Sequence, residues 1–166
     1  MENAIAWFEL GVKQQENERE YKALQALERA VELDSSHLPA WLALAISYAN
    51  DTNRRGTYDA IYNWVSRNTK YQDAFQQYFA PNVTSSVSSP PAERNSQLIQ
   101  CLITMARSNI SGEIDADVQV ALAVLLNTNE VCFDDGCILV SLILKGYRNL
   151  QRHKIVSKQL WPFDLM

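Results

Sequence analysis

Apolar positions in the first half of the chain follow helical spacing, and the pattern returns after 34 residues. Trp7 and Trp41 are 34 residues apart, and Phe75 lies another 34 on. Trp7 is followed by Leu10 and Gly11, then Ala23, Leu27 and Ala30. Trp41 is followed by Leu44, Ala45 and Tyr48, then Thr57, Ile61 and Trp64. A fixed period with self-similar content is the signature of stacked supersecondary units, here two short helices joined by a turn. The spacing predicts helices near 4–15, 18–33, 39–50, 55–68, 71–79, 92–109 and 115–128. Trp7, Leu10 and Gly11 are expected on the buried face of the first. A small residue at Gly11 or Ala45 lets the partner helix approach closely. Glu16, Glu18 and Glu20 suit the positive end of the second helix dipole. Pro39 suits the first turn of the third helix, and Asp115 and Asp117 suit the start of the last.

Between residues 80 and 91 the period fails. Asn82 to Pro91 is a Ser/Pro-rich polar stretch that cannot bury apolar surface and reads as a flexible linker. The chain therefore divides into repeats over 2–79, a linker over 80–91, continuing helical repeats over 92–130, and a divergent tail over 131–166. The tail fits no repeat unit.

Composition sharpens this picture. Hydrophobic residues make up 47% and charged residues 20% of 166 residues, which suits a folded domain and excludes disorder for most of the chain. Five Gly and five Pro disfavour a turn-rich all-β fold. The net charge of −4 offers nothing global to nucleic acid. Residues 1–133 carry −6 and residues 134–166 carry +2, so the tail differs in character. Its Lys145, Arg148, Arg152, Lys154 and Lys158 form a basic stretch that suits either an anionic membrane surface or, more blandly, a frame-shifted tail. Cys101, Cys132 and Cys137 are an odd number, and with no signal peptide the expectation is unpaired thiols in a reducing compartment.

The 34-residue period with Trp, Leu-Gly, Tyr and Ala at these spacings resembles the tetratricopeptide repeat. The expected fold class is all-α: a tetratricopeptide-repeat superhelix, here an incomplete array. Three strings resemble the peroxisomal import receptor family (peroxin-5 family) more specifically. They are Ala6 to Gly11 with Gln15 to Glu18, Trp41 to Tyr48 with Asn50, and Asp115 to Asn127. The resemblance covers about residues 2–130. It implies a receptor for the C-terminal Ser-Lys-Leu-type signal of matrix proteins, whose two clusters of repeats clasp the signal. The chain resembles the family from its second repeat to the turn of the fifth. Residues 131–166 stand in place of the family's later repeats. A truncated or frame-shifted gene model is the expected origin of this tail, and a splice form the alternative.

In stacked repeats the first helix of each pair lines the concave groove. Asn50 and Asn127 fall late in first helices, and an asparagine amide carries donors and an acceptor for a peptide backbone. The resemblance implies that both hold the signal's backbone and that Ile46 and Ala49 line the same wall. Helix capping is the open alternative for both asparagines. The signal's carboxylate and lysine call for basic and acidic partners. The family's main basic contacts come from repeats with no counterpart here, so weak signal binding by this chain is expected.

Other chemistry is thin. His37 and His153 lie 116 residues apart without ligand-spaced companions, so no metal site is expected. No nucleophile set or Gly-rich phosphate loop is visible, so no catalytic residue, cofactor or small-molecule substrate is expected. The tryptophans read as core rather than ligand platforms. The implied partners are cargo proteins bearing the signal and docking proteins at the peroxisomal membrane, with a cytoplasmic receptor cycling to that membrane. A generic tetratricopeptide scaffold and an inactive truncated product are the alternatives. The scaffold reading calls for Lys and Arg clustered on first helices, and Lys13 is a poor start.

Overall fold

The computed structural model describes residues 3–79, 91–108 and 115–128. Among these residues the chain is all-α: α1 (Ala4–Glu16), α2 (Glu20–Leu33), α3 (Leu38–Asn50), α4 (Arg54–Arg67), α5 (Gln72–Phe79), α6 (Pro91–Arg107) and α7 (Ala116–Thr128), with a 3₁₀ turn at Thr69–Tyr71 before α5. Residues 80–90 of the proposed linker, the 131–166 tail, Cys132, Cys137, His153 and the tail's basic residues lie outside the described residues. Pro91, expected as the linker's last residue, begins α6 at a first-turn position that suits proline.

The 34-residue period is written into the backbone. α1 and α3 coincide at both ends after a shift of 34, and so do α2 and α4. The turns repeat as well, because the two non-glycine residues at positive φ among the described residues, Glu18 (57°) and Thr52 (59°), share that spacing. This left-handed step reverses the chain within three residues. It also corrects the expected start of the second helix: Glu18 belongs to the turn, and α2 begins at Glu20. Helix starts are held by side chains where the sequence offers them. Asn3 Oδ1 accepts from the Ile5 N–H at 2.9 Å, and Asn53 Oδ1 from the Gly56 N–H at 2.9 Å. Asp115 Oδ1 accepts from the Asp117 N–H at 3.1 Å, so Asp115 caps α7 and Asp117 sits inside it.

α1 and α2 pack as one antiparallel pair and α3 and α4 as the next, with α3 seated on both members of the first pair. The expected close approach is present. A Cβ at Gly11 would lie 2.6 Å from Leu27 Cγ, so only glycine fits where α2 crosses α1. The core is one continuous cluster. It runs from Leu24 and Leu27 through Leu42, Leu44, Ile61, Trp64 and Val65 to Leu98, Leu102, Met105, Val118, Val124 and Leu125.

The place beside α3 and α4 is taken by α7, which packs on both and on α6, whereas α5 packs on α4 and α6. α7 has the length of α3 and repeats its burial pattern: Ala40, Leu42, Ala43, Ala45 and Ser47 are matched by Val118, Val120, Ala121, Ala123 and Leu125. Phe75, for all its spacing, belongs to an aromatic group with Tyr62 and Phe79, with ring centroids 5.0–5.6 Å apart. A side-chain pin fixes α7 in place. Lys70 Nζ and the Tyr71 hydroxyl both donate to Asp115 Oδ2, at 2.8 and 2.9 Å.

Three expected core positions differ in degree. Leu10 is 44% exposed, because α1 turns that side away from α2 and α3. Trp7 and Trp41 are partly buried and packed on the core, while among the described residues the fully buried tryptophan is Trp64 at 2%. Trp41 keeps its polar edge satisfied by donating from Nε1 to the Ser35 carbonyl at 2.9 Å, and the Arg67 guanidinium sits 5.1 Å from its ring.

Candidate peptide-binding groove

α3 packs against both α1 and α7, so the three first helices form a row. The candidate residues sit at the C-terminal ends of α3 and α7. Asn50 is the last residue of α3 and is exposed. Asn127 is the penultimate residue of α7 and is also exposed. In the α3–α7 correspondence Asn127 takes the place of Ala49, which is partly buried beside partly buried Ile46, both packed on the core. The two asparagines are thus one position out of register on adjacent helices.

Asn50 is not a helix cap; Asp51 follows as the C-cap residue. The Asn50 Nδ2 donates to Glu20 Oε1 at 2.9 Å, tying the end of α3 to the start of α2. The other carboxylate oxygen, Glu20 Oε2, accepts from the Ser47 hydroxyl at 3.2 Å. Behind them lies Gln15, only 8% exposed, whose Nε2 donates to Ser47 Oγ at 2.7 Å and to the Ala43 carbonyl at 2.9 Å. The α1–α2 turn at Glu18 brings Gln15 and Glu20 to the same end of α3.

Gln15, Glu20 and Ser47 were not among the residues the sequence singled out for the groove. Glu20 does begin α2, as the dipole argument expects, and also serves Asn50. The available signal for Gln15 was a polar residue one turn after Gly11 on an inward face. Ser47 offered none, since a serine inside an Ala/Leu-rich helix is common.

Elsewhere, a cavity of about 260 Å³ opens among α2, α3 and α4, lined by Glu28, Trp41, Tyr48, Asp59 and neighbours. The Tyr48 hydroxyl donates to Glu28 Oε1 at 2.6 Å, and burial together with that carboxylate raises the phenol's pKa. Among the described residues no group of His, Cys, Asp and Glu is placed to hold a metal, and no helix is long and apolar enough to cross a membrane. Cys101 is buried, which pushes its thiol up to about 11.

No protein-family model matches the chain. Curated relatives do. The chain is 35% identical over 127 residues to the PEX5-related protein of Rattus norvegicus, covering 75% of this chain and 21% of that protein. It is 35% identical over 131 residues to the peroxisomal targeting signal receptor of Yarrowia lipolytica, covering 78% and 21%. It is 34% identical over 126 residues to the receptor of that name from Komagataella phaffii, covering 75% and 21%. The chain thus spans about a fifth of the length of these relatives. Over the matched three quarters of its own length, with an all-α array of paired helices, the chain is a partial member of the family of PEX5-related proteins and peroxisomal targeting signal receptors.

Proposed function

We propose that this chain carries part of the groove of a peroxisomal import receptor and contacts C-terminal Ser-Lys-Leu-type signals. The observation that carries the reading is the match to proteins named peroxisomal targeting signal receptor over 126 to 131 residues, three quarters of this chain. Asn50 and Asn127, exposed at the ends of adjacent helices, offer amide donors and acceptors to an extended peptide backbone. Ile46 and Ala49 form the wall beside them. Glu20, at the same end of α3, supplies a carboxylate for the signal's lysine. The action is non-covalent capture and delivery, without catalysis or cofactor, by a cytoplasmic receptor that cycles to docking proteins at the peroxisomal membrane.

Binding by the chain alone is expected to be weak. The residues here supply one side of the clasp, and each missing charge-assisted contact removes roughly 1.5–3 kcal/mol, which together weaken affinity by about three orders of magnitude or more. The test is fluorescence anisotropy with a labelled peptide ending in Ser-Lys-Leu and an amidated control. Two proteins are compared: the chain as it stands, and residues 1–130 joined in frame to the succeeding segment of the Yarrowia lipolytica relative. Carboxylate-dependent binding by the joined protein, far tighter than by the chain, supports the reading. No binding by the joined protein, or sub-micromolar binding by the chain alone, overturns it.

A further inference from the structure

The hydrogen bonds behind Asn50 have only one consistent direction. A carbonyl only accepts, so the atom of Gln15 that meets the Ala43 oxygen at 2.9 Å is its NH₂ group. The same NH₂ reaches Ser47 Oγ at 2.7 Å, so Ser47 receives a hydrogen there. Its own hydrogen then points to Glu20 Oε2. Glu20, as a carboxylate, accepts only, and its other oxygen takes the Asn50 NH₂. Asn50 Oδ1 is left on the far side of its amide from Glu20, and among the described residues nothing donates to it. The anchor of this relay is rigid, since Gln15 is 8% and Ser47 0% exposed.

The relay is not a by-product of the repeat. After the 34-residue shift, Ala49 stands where Gln15 stands and Arg54 where Glu20 stands, so the next pair of helices cannot build it. A buried glutamine and serine must be hydrogen-bonded somewhere, but nothing in the fold requires the bonds to end on an exposed asparagine.

We propose that Gln15 is a positioning residue: through Ser47 and Glu20 it fixes the Asn50 amide so that its oxygen faces the ligand and selects a peptide N–H at that point of the groove. This rests on the groove reading above, but the orientation itself is tested without any ligand. In the ¹⁵N-labelled chain, the Asn50 side-chain NH₂ signals are identified by their loss in Asn50→Ala. Gln15→Met, of similar volume and without a donor, and Ser47→Ala, a minimal change, should both shift that pair of signals. Thr57→Val, which removes another buried hydroxyl in α4, should leave it in place even if stability falls. Should the Asn50 signals stay put in Gln15→Met and in Ser47→Ala while both remain helical, the relay does not orient Asn50 and the proposal fails. In the joined protein, Gln15→Met should weaken the Ser-Lys-Leu peptide by roughly tenfold, the scale of one hydrogen bond. A peptide N-methylated at the amide that meets Asn50 should bind native and Gln15→Met proteins equally. Unequal loss for every N-methylated peptide would overturn the selection of a peptide N–H. If the Asn50 signals shift but the joined protein binds no peptide, the orientation stands and the receptor reading falls.

Discussion

The α1–α2 pair and the α3–α4 pair share one backbone, displaced by 34 residues, yet they differ in what they bury. The large apolar residues left exposed among the described residues, Ile5, Leu10, Tyr21 and Leu33, all belong to the first pair. The second pair holds Trp64, Ile61 and Val65 at 0–2% exposure. The difference follows from neighbours. α3 and α4 lie between α1–α2 on one side and α7 on the other, whereas α1 and α2 pack on each other and on α3. Periodicity marks the positions able to face a neighbour; burial follows only where a neighbour is present. The first pair compensates in part with polar bonds, joining α1 and α2 to α3 through Gln15, Glu20 and Ser47.

The comparison breaks first at the tryptophans. Trp64→Ala should cost about 3–5 kcal/mol, as for other fully buried aromatics, while Trp7→Ala and Trp41→Ala, partly buried, should cost clearly less. Thermal melts followed by circular dichroism give the order. A loss at Trp7 equal to that at Trp64 would remove the distinction between the two pairs, while Trp41 tests the same dependence on burial within the second pair.

A smaller effect separates the equivalent positions Gly11 and Ala45. Gly11→Ala forces a methyl against Leu27 and should destabilise by about 1–3 kcal/mol. Ala45→Gly should cost about 1 kcal/mol from helix propensity, with a small loss of buried surface added. Urea denaturation of both variants decides it; a Gly11→Ala protein as stable as the native one would mean that α1 and α2 do not cross as closely as described.

The pin that holds α7 beside the second pair works on a similarly small scale. Burial pushes the Asp115 carboxyl upward, but its bonds from Lys70, Tyr71 and the Asp117 N–H outweigh this and hold it below the ordinary carboxylate value. A carboxyl depressed in the folded state adds stability at pH values above its unfolded pKa. That stability is lost as pH falls through the ordinary carboxylate range and below it. Asp115→Ala, which removes a helix cap and a partly exposed ion pair, should cost about 1–2 kcal/mol at pH 7 and progressively less toward acid. Melting curves of both proteins between pH 7 and pH 3 should therefore converge, and a constant gap would show that the carboxylate's charge is not what pins α7.

Much of the architecture was legible in the spacing. Six of the seven helices begin within one residue of expectation and Asp115 caps α7 as expected, because helical spacing and cap chemistry constrain backbone and core together. Gly11 was legible because close packing leaves a residue-type signature. Leu10 was not, since a leucine at helical spacing looks the same whether or not a neighbour covers it. Phe75 misled through its spacing alone. The eight residues of α5 are too few to lie along α3 and α4, and α7, thirteen residues long with matching burial, occupies that place. At the candidate groove, Asn50 and Asn127 could be named from helix position. The relay could not, because Gln15 and Ser47 are 32 residues apart and meet only once α3 has docked on α1.

The central claim is that the row of first helices binds a peptide through Asn50. Its most direct test is a titration of labelled Ser-Lys-Leu peptide into the joined protein, native against Asn50→Ala, with the amidated peptide as control. The account predicts carboxylate-dependent binding that Asn50→Ala weakens by about tenfold or more while helix content is unchanged. Equal affinity of the two proteins would contradict it.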